Sequence, residues 1–199
     1  MNVPFTYPPQ PLKGFMVTGL LTPSNAVYTY PPVLTEILNE VIGYRIGFKV
    51  SGGDKYCAMW DTGKPLPVRR EAFSEEYSVI VWKRVEALEF LCRIVDVDAV
   101  FIVFNALDHV QHWFMDDKDF VEEWYLKMDK VVAELLKLLK PEDLIILSDH
   151  GFTRVEKGGY KGDHRAGGIW VTTTGLKPSC LEDAHKQIVG YLKAGMRNA

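Results

Sequence analysis

The pattern of apolar and polar positions changes about a third of the way along the chain. Residues 1–69 read as a loop region. Pro, Gly, Tyr and Thr dominate, and TYPP occurs twice, at Thr6–Pro9 and Thr29–Pro32. Each proline pushes the residue before it into an extended conformation, so this stretch reads as ordered loop crossing a surface. SGGD (51–54) and DTGKPLP (61–67) add turns. Two copies of four residues do not make a repeat protein. From Arg70 onward the pattern is helical. EAFSEEYSVIVWKRVEALEFLCRIV predicts a long amphipathic helix interrupted near Ser78. DFVEEWYLKMDKVVAELLKLLK (119–140) predicts a second helix, stopped by Pro141. DAVFIVFNA (98–106) and LIIL (144–147) are near-continuous apolar runs, the pattern of strands covered on both faces. GGIWVTTTG (167–175) suggests a third strand and SCLEDAHKQIVGYLKAG (179–195) a closing helix. This order predicts an α/β fold, a mainly parallel sheet with helices on both faces. Residues 1–199 read as a single domain, with a Pro/Gly-rich loop region over 1–69 and a core over 70–199.

Composition narrows the classes. The 199 residues are 47% hydrophobic and 25% charged, enough for a sizeable core and unlike a disordered chain. The net charge of −3 comes without a long run of one sign, which argues against nucleic acid as a partner. MNVPFTYPPQPLKGF lacks the basic start and apolar run of a signal peptide. No apolar stretch reaches the ~20 residues of a membrane span. Cys57, Cys92 and Cys180 are widely spaced and odd in number, forming neither a CxxC pair nor a disulfide framework. They read as small apolar filler in a reducing, cytoplasmic setting.

In open α/β sheets, ligands bind beyond the carboxyl ends of strands. There the chain carries LDHVQH (Asp108, His109, Gln111, His112), SDHG (Asp149, His150) and, before the third strand, KGDHRAGG (Asp163, His164). Four of the five histidines lie in these places, each near an aspartate; His185 reads as a solvent-facing helical residue. Asp108 and His112 are four apart, so a helical turn from Asp108 sets both on one face, within reach of one cation. His109 then points away, as a surface or supporting group. Asp149 and His150 would face opposite ways in a strand but converge in an irregular turn that Gly151 permits. His164, between Gly162 and Gly167, reads as part of a flexible segment that folds back over the site. Carboxylate oxygen and imidazole nitrogen without thiolate suit Zn²⁺, Mn²⁺ or another first-row divalent ion, up to two of them. Two such ions would clamp a phosphate-like oxyanion.

The motifs ALDHVQHWF, IILSDHGF and GDHRAGG, in this order, resemble the metal motifs of the alkaline phosphatase superfamily, in its type I phosphodiesterase/nucleotide pyrophosphatase-like branch. NVPFTYPPQPLKGFMVTGLLTPS resembles the segment that precedes them in microbial members; this segment disfavours a sulfatase or phosphoglycerate mutase relative. The resemblance implies an alkaline-phosphatase-like fold. It implies one ion held by Asp108, His112 and His164, and a second held by Asp149 and His150. It also implies a small-molecule phosphoester substrate. In the family the second site is completed by an earlier Asp and a Thr or Ser nucleophile, both upstream of the TYPP segment. Thr6, Thr18, Thr22 and Ser24 do not match the nucleophile's context, so the catalytic residue is unknown. The chain therefore reads as the N-terminally truncated, C-terminal part of a phosphohydrolase catalytic domain. Its partner would be a complementary N-terminal half or further copies of itself. The alternative is a non-catalytic metal-binding or subunit-interaction relative.

Overall fold

The computed structural model describes residues 16–17, 29–30, 32–42, 69–157 and 159–196. In chain order these form β1 (Met16–Val17), β2 (Thr29–Tyr30), α1 (Val33–Ile42), α2 (Arg70–Ile94), α3 (Ala106–Phe114) and α4 (Lys118–Leu139). There follow β3 (Ile145–Leu147), β4 (Gly151–Lys157), β5 (Tyr160–Arg165), β6 (Trp170–Thr172) and α5 (Leu181–Met196). None of the helices among the described residues is long and apolar enough to cross a membrane.

The core is helical, and its stripes follow the period of the sequence. Phe73, Tyr77, Val81, Val85 and Leu88 of α2 meet Ala106, Val110 and Phe114 of α3 and Phe120, Trp124, Met128, Val131 and Leu135 of α4. Phe73 sits among four rings: stacked on Tyr77 at 4.3 Å, and edge-on to Trp124 at 5.2 Å, Phe114 at 5.4 Å and Phe120 at 6.0 Å. Such pairs add about 0.5–1.5 kcal/mol each beyond the area they bury. A second, smaller cluster packs Leu34 and Leu38 of α1 on Ala87 and Leu91 of α2. Helix α4 begins where the Asp117 carboxylate accepts from the Phe120 N–H at 3.3 Å. It ends at Lys140 in the left-handed region (φ 44), just before Pro141. The expected break near Ser78 is absent. The buried stripe runs through Tyr77 and Val81 on either side of it, and packing outweighs the small helix penalty of one serine.

The expected mainly parallel sheet is overturned. Among the described residues the strands form three two-stranded antiparallel sheets, β1–β2, β3–β6 and β4–β5. Of residues 98–106, read as a buried strand, 98–105 belong to no strand and Ala106 opens α3. Ile102 and Phe104 lean on the helical core, while Phe101 is 82% exposed and Val103 54%. A continuous apolar run signals sticky surface on both sides, but it names no pairing partner. Strand β3 pairs with β6 (Ile145↔Thr172, Leu147↔Trp170) through the intervening hairpin, so the pairing is antiparallel. Its Ile146 and Leu147 are exposed rather than covered on both faces. Cys92 packs partly buried against the core, as filler should. Cys180 is exposed, which corrects that assignment. Cys57, the first TYPP and the turns at 51–54 and 61–67 lie outside the described residues.

Candidate metal centre

Helix α3 has two faces with different tasks. Ala106, Val110 and Phe114, at successive four-residue steps, are buried in the core. That fixes the helix rotation and leaves Asp108 and His112 together on the half-exposed side. The chain entering α3 is tied to α2 by the buried Arg84, whose Nη1 donates to Val103 O at 2.8 Å and Asn105 Oδ1 at 3.1 Å. A charge inside the apolar stripe Val81–Val85–Leu88 was the available signal for this anchor, and the sequence reading passed over it.

Hairpin β4–β5 lies across α3 and supplies the third group. Its register sets Phe152 opposite His164. His164 is therefore a strand residue, not part of the flexible flap expected from its flanking glycines. Close approach depends on Gly162, where a Cβ would stand 2.4 Å from the Gln111 carbonyl oxygen. The Gly162 carbonyl accepts from His112 Nδ1 at 3.0 Å, which leaves the Nε2 lone pair free to point at the hairpin. Gly151 also serves by its smallness: an added Cβ would lie 2.8 Å from Gly167 O, so space, rather than a special turn conformation, calls for glycine.

Donor atoms converge at one point. His164 Nε2 lies 3.1 Å from Asp108 Oδ1 and 3.0 Å from His112 Nε2. His112 Nε2 is 3.8 Å from the same carboxylate oxygen. The ligating atoms of Asp108, His112 and His164 all fall within 4.8 Å of one another. An imidazole lone pair, a second imidazole nitrogen and a carboxylate oxygen so close together are electrostatically reasonable only around a proton or a cation. This donor set fits a first-row divalent ion.

His150 adjoins both this trio and Asp149. Its ring stacks on His164 at 3.7 Å, and its Nε2 is 3.6 Å from Asp108 Oδ1 and 3.6 Å from Asp149 Oδ1. Asp149 sits at the rim with its side chain 67% exposed. Phe152, which the sequence reading did not single out, packs its ring 4.9–5.3 Å from those of His112, His150 and His164. The alternation along β4 was its only signal. His109 does turn away from the cluster, but not to the surface. Its Nδ1 meets Tyr77 Oη, and burial, aided by the neighbouring His112, pushes its pKa from 6.5 to about 4. Gln111 donates to Leu107 O at 2.9 Å, and His185 is exposed. Asp163 caps the His164 N–H at 2.8 Å. Thr6, Thr18, Thr22 and Ser24 lie outside the described residues.

Comparison with curated proteins and with solved structures returns no match. The family model for type I phosphodiesterase / nucleotide pyrophosphatase matches residues 15–167, a span that holds Asp108, His112, Asp149, His150 and His164. With more than half of its length matched, the chain belongs to the type I phosphodiesterase/nucleotide pyrophosphatase family.

Proposed function

We propose that this chain works as a metal-dependent phosphohydrolase on small-molecule phosphoesters, or forms the metal-binding part of one. The carrying observation is the convergence of Asp108 Oδ1, His112 Nε2 and His164 Nε2. Asp108, His112 and His164 would hold one ion, Zn²⁺, Mn²⁺ or another first-row cation; His150 and Asp149 would hold a second. Bound there, the ions would polarise a phosphoryl oxygen and lower the pKa of a water. The protein's own contribution is orientation. The Gly162 carbonyl fixes the tautomer and the ring plane of His112. Strand pairing fixes His164, and the Phe152 ring packs edge-on against His112, His150 and His164. A cytoplasmic location belongs to the same reading and is supported by the free thiols of Cys92 and Cys180.

Metal analysis together with hydrolysis of a p-nitrophenyl phosphodiester tests this. The expected result is divalent metal bound near stoichiometrically and lost in His112→Ala. A protein that takes up no divalent metal, or one whose uptake is indifferent to His112→Ala, would sink the proposal. The second reading, a non-catalytic relative that assembles with other subunits, draws on the exposed Phe101, Val103, Ile169 and Val171. Light scattering separates the two. Metal uptake without hydrolysis in an assembled species favours the second.

A further inference from the structure

We propose that Tyr77 and His109 form a positioning pair that holds the Asp108 carboxylate so that only one of its oxygens faces the cation. This rests on the reading of Asp108 as a metal ligand. The two oxygens of Asp108 have different neighbours. Oδ1 faces His164 Nε2 at 3.1 Å, His150 Nε2 at 3.6 Å and His112 Nε2 at 3.8 Å. Oδ2 faces the other way, toward His109 Nε2 at 3.7 Å. His109 in turn is held from behind by Tyr77, through Oη to Nδ1 and by an edge-on ring contact at 5.3 Å.

The direction of polarity follows from ordinary chemistry. A phenol is protonated at neutral pH and can donate to an imidazole nitrogen. With Tyr77 as the donor, Nδ1 is the acceptor and the ring proton of neutral His109 belongs on Nε2, the nitrogen that faces Oδ2. At 3.7 Å this is an N–H dipole directed at a carboxylate, beyond hydrogen-bond range. Its effect is to favour one rotation of the carboxylate, with Oδ2 turned toward His109 and Oδ1 toward the cluster. His109 itself is no ligand, because Nδ1 is engaged by Tyr77 and Nε2 faces the oxygen turned away from the cluster. Tyr77 has little freedom to move. It is buried in α2 and stacked on Phe73. The pair therefore links the aromatic core to the metal ligand, a supporting layer of the kind that tunes metal affinity.

The test uses the whole chain and Co²⁺ alone as the probe, read by titration and by the visible absorption of the bound ion. Each protein's melting temperature without metal serves as the control for packing. Wild type binds Co²⁺. His109→Leu, which removes the donor, is expected to weaken binding about 10- to 100-fold. His109→Gln, whose side-chain amide can still donate toward Oδ2, recovers most of the affinity. Tyr77→Phe keeps the ring packing, weakens binding in the same direction and alters the Co²⁺ spectrum. Should His109→Leu fail to fold, Tyr77→Phe and His109→Gln carry the test between them. Wild-type affinity and spectrum in Tyr77→Phe, or a His109→Gln as weak as His109→Leu in a folded protein, overturn the pair while leaving the metal reading intact. A wild type that binds no Co²⁺ overturns both.

Discussion

The helical core and the hairpin that crosses it are built on different physics. The core of α2, α3 and α4 buries a continuous stripe, with Phe73, Val110, Trp124 and Val131 fully enclosed. The hairpin β4–β5 is mostly exposed and meets α3 through the Gly162 backbone, through His164 and through the rings of Phe152 and Tyr160. One region carries the buried apolar packing and the other carries side chains of the candidate metal site. They meet on a single nine-residue helix, α3, whose inner face belongs to the first and whose outer face belongs to the second. Such a division allows the site to hold unfavourably close donors without endangering the fold.

Substitutions on either side should separate the two regions. The largest effect belongs to the core. Phe73→Ala removes the ring at the centre of the aromatic cluster and should cost about 3–5 kcal/mol, read as a large fall in melting temperature. A change in metal uptake with stability preserved would contradict the division. Next comes pH. His109 has a folded pKa of about 4, below its ordinary 6.5. Its contribution to stability is therefore complete above pH 6.5 and is lost as pH falls toward 4, because the unfolded chain takes up the proton first. At about 1.4 kcal/mol per unit, metal-free protein should lose on the order of 3 kcal/mol across that window. His109→Gln should flatten the slope, as checked by denaturant unfolding at several pH values. Gly162→Ala comes third. Its methyl would press on the Gln111 backbone, costing about 1–3 kcal/mol and weakening metal binding more than stability. The smallest effect is His164→Ala, on a side chain 48% exposed. It should change metal-free stability by less than about 0.5 kcal/mol while abolishing metal uptake in a titration.

Legibility in the sequence divides along the same line. Helices α2 and α4 could be placed because burial on one side writes a period into the residues, and Pro141 marks a stop. The same logic fails over 98–106, where hydrophobicity is present without enclosure, as Phe101 demonstrates. It also misjudged the sheet, because strand partners are chosen by chain geometry over distances that no local pattern records. Within the site, the four-residue step from Asp108 to His112 was readable. The arrival of His164 from a paired strand was not, since it depends on the hairpin register and on the gap at Gly162. His150 reads as a ligand of the second ion with Asp149, and its Nε2 lies 3.6 Å from both Asp149 Oδ1 and Asp108 Oδ1, a closeness to the first ion's ligand that sequence spacing does not record. Adjacent residues in a turn can serve neighbours remote in sequence, and the direction of a turn is set by contacts outside it.

The hydrogen bond from His112 to the Gly162 carbonyl has a dynamic consequence. It joins a ligand on α3 to the backbone of β5, and His164 reaches back from that strand to the same point. A cation gripping both would fasten hairpin to helix, so opening of the hairpin and release of the ion become one equilibrium seen from two ends. Amide hydrogens along β4 and β5 should then exchange more slowly as metal concentration rises, by the factor 1 + [M]/Kd. Those deep in α4 should keep their own pace.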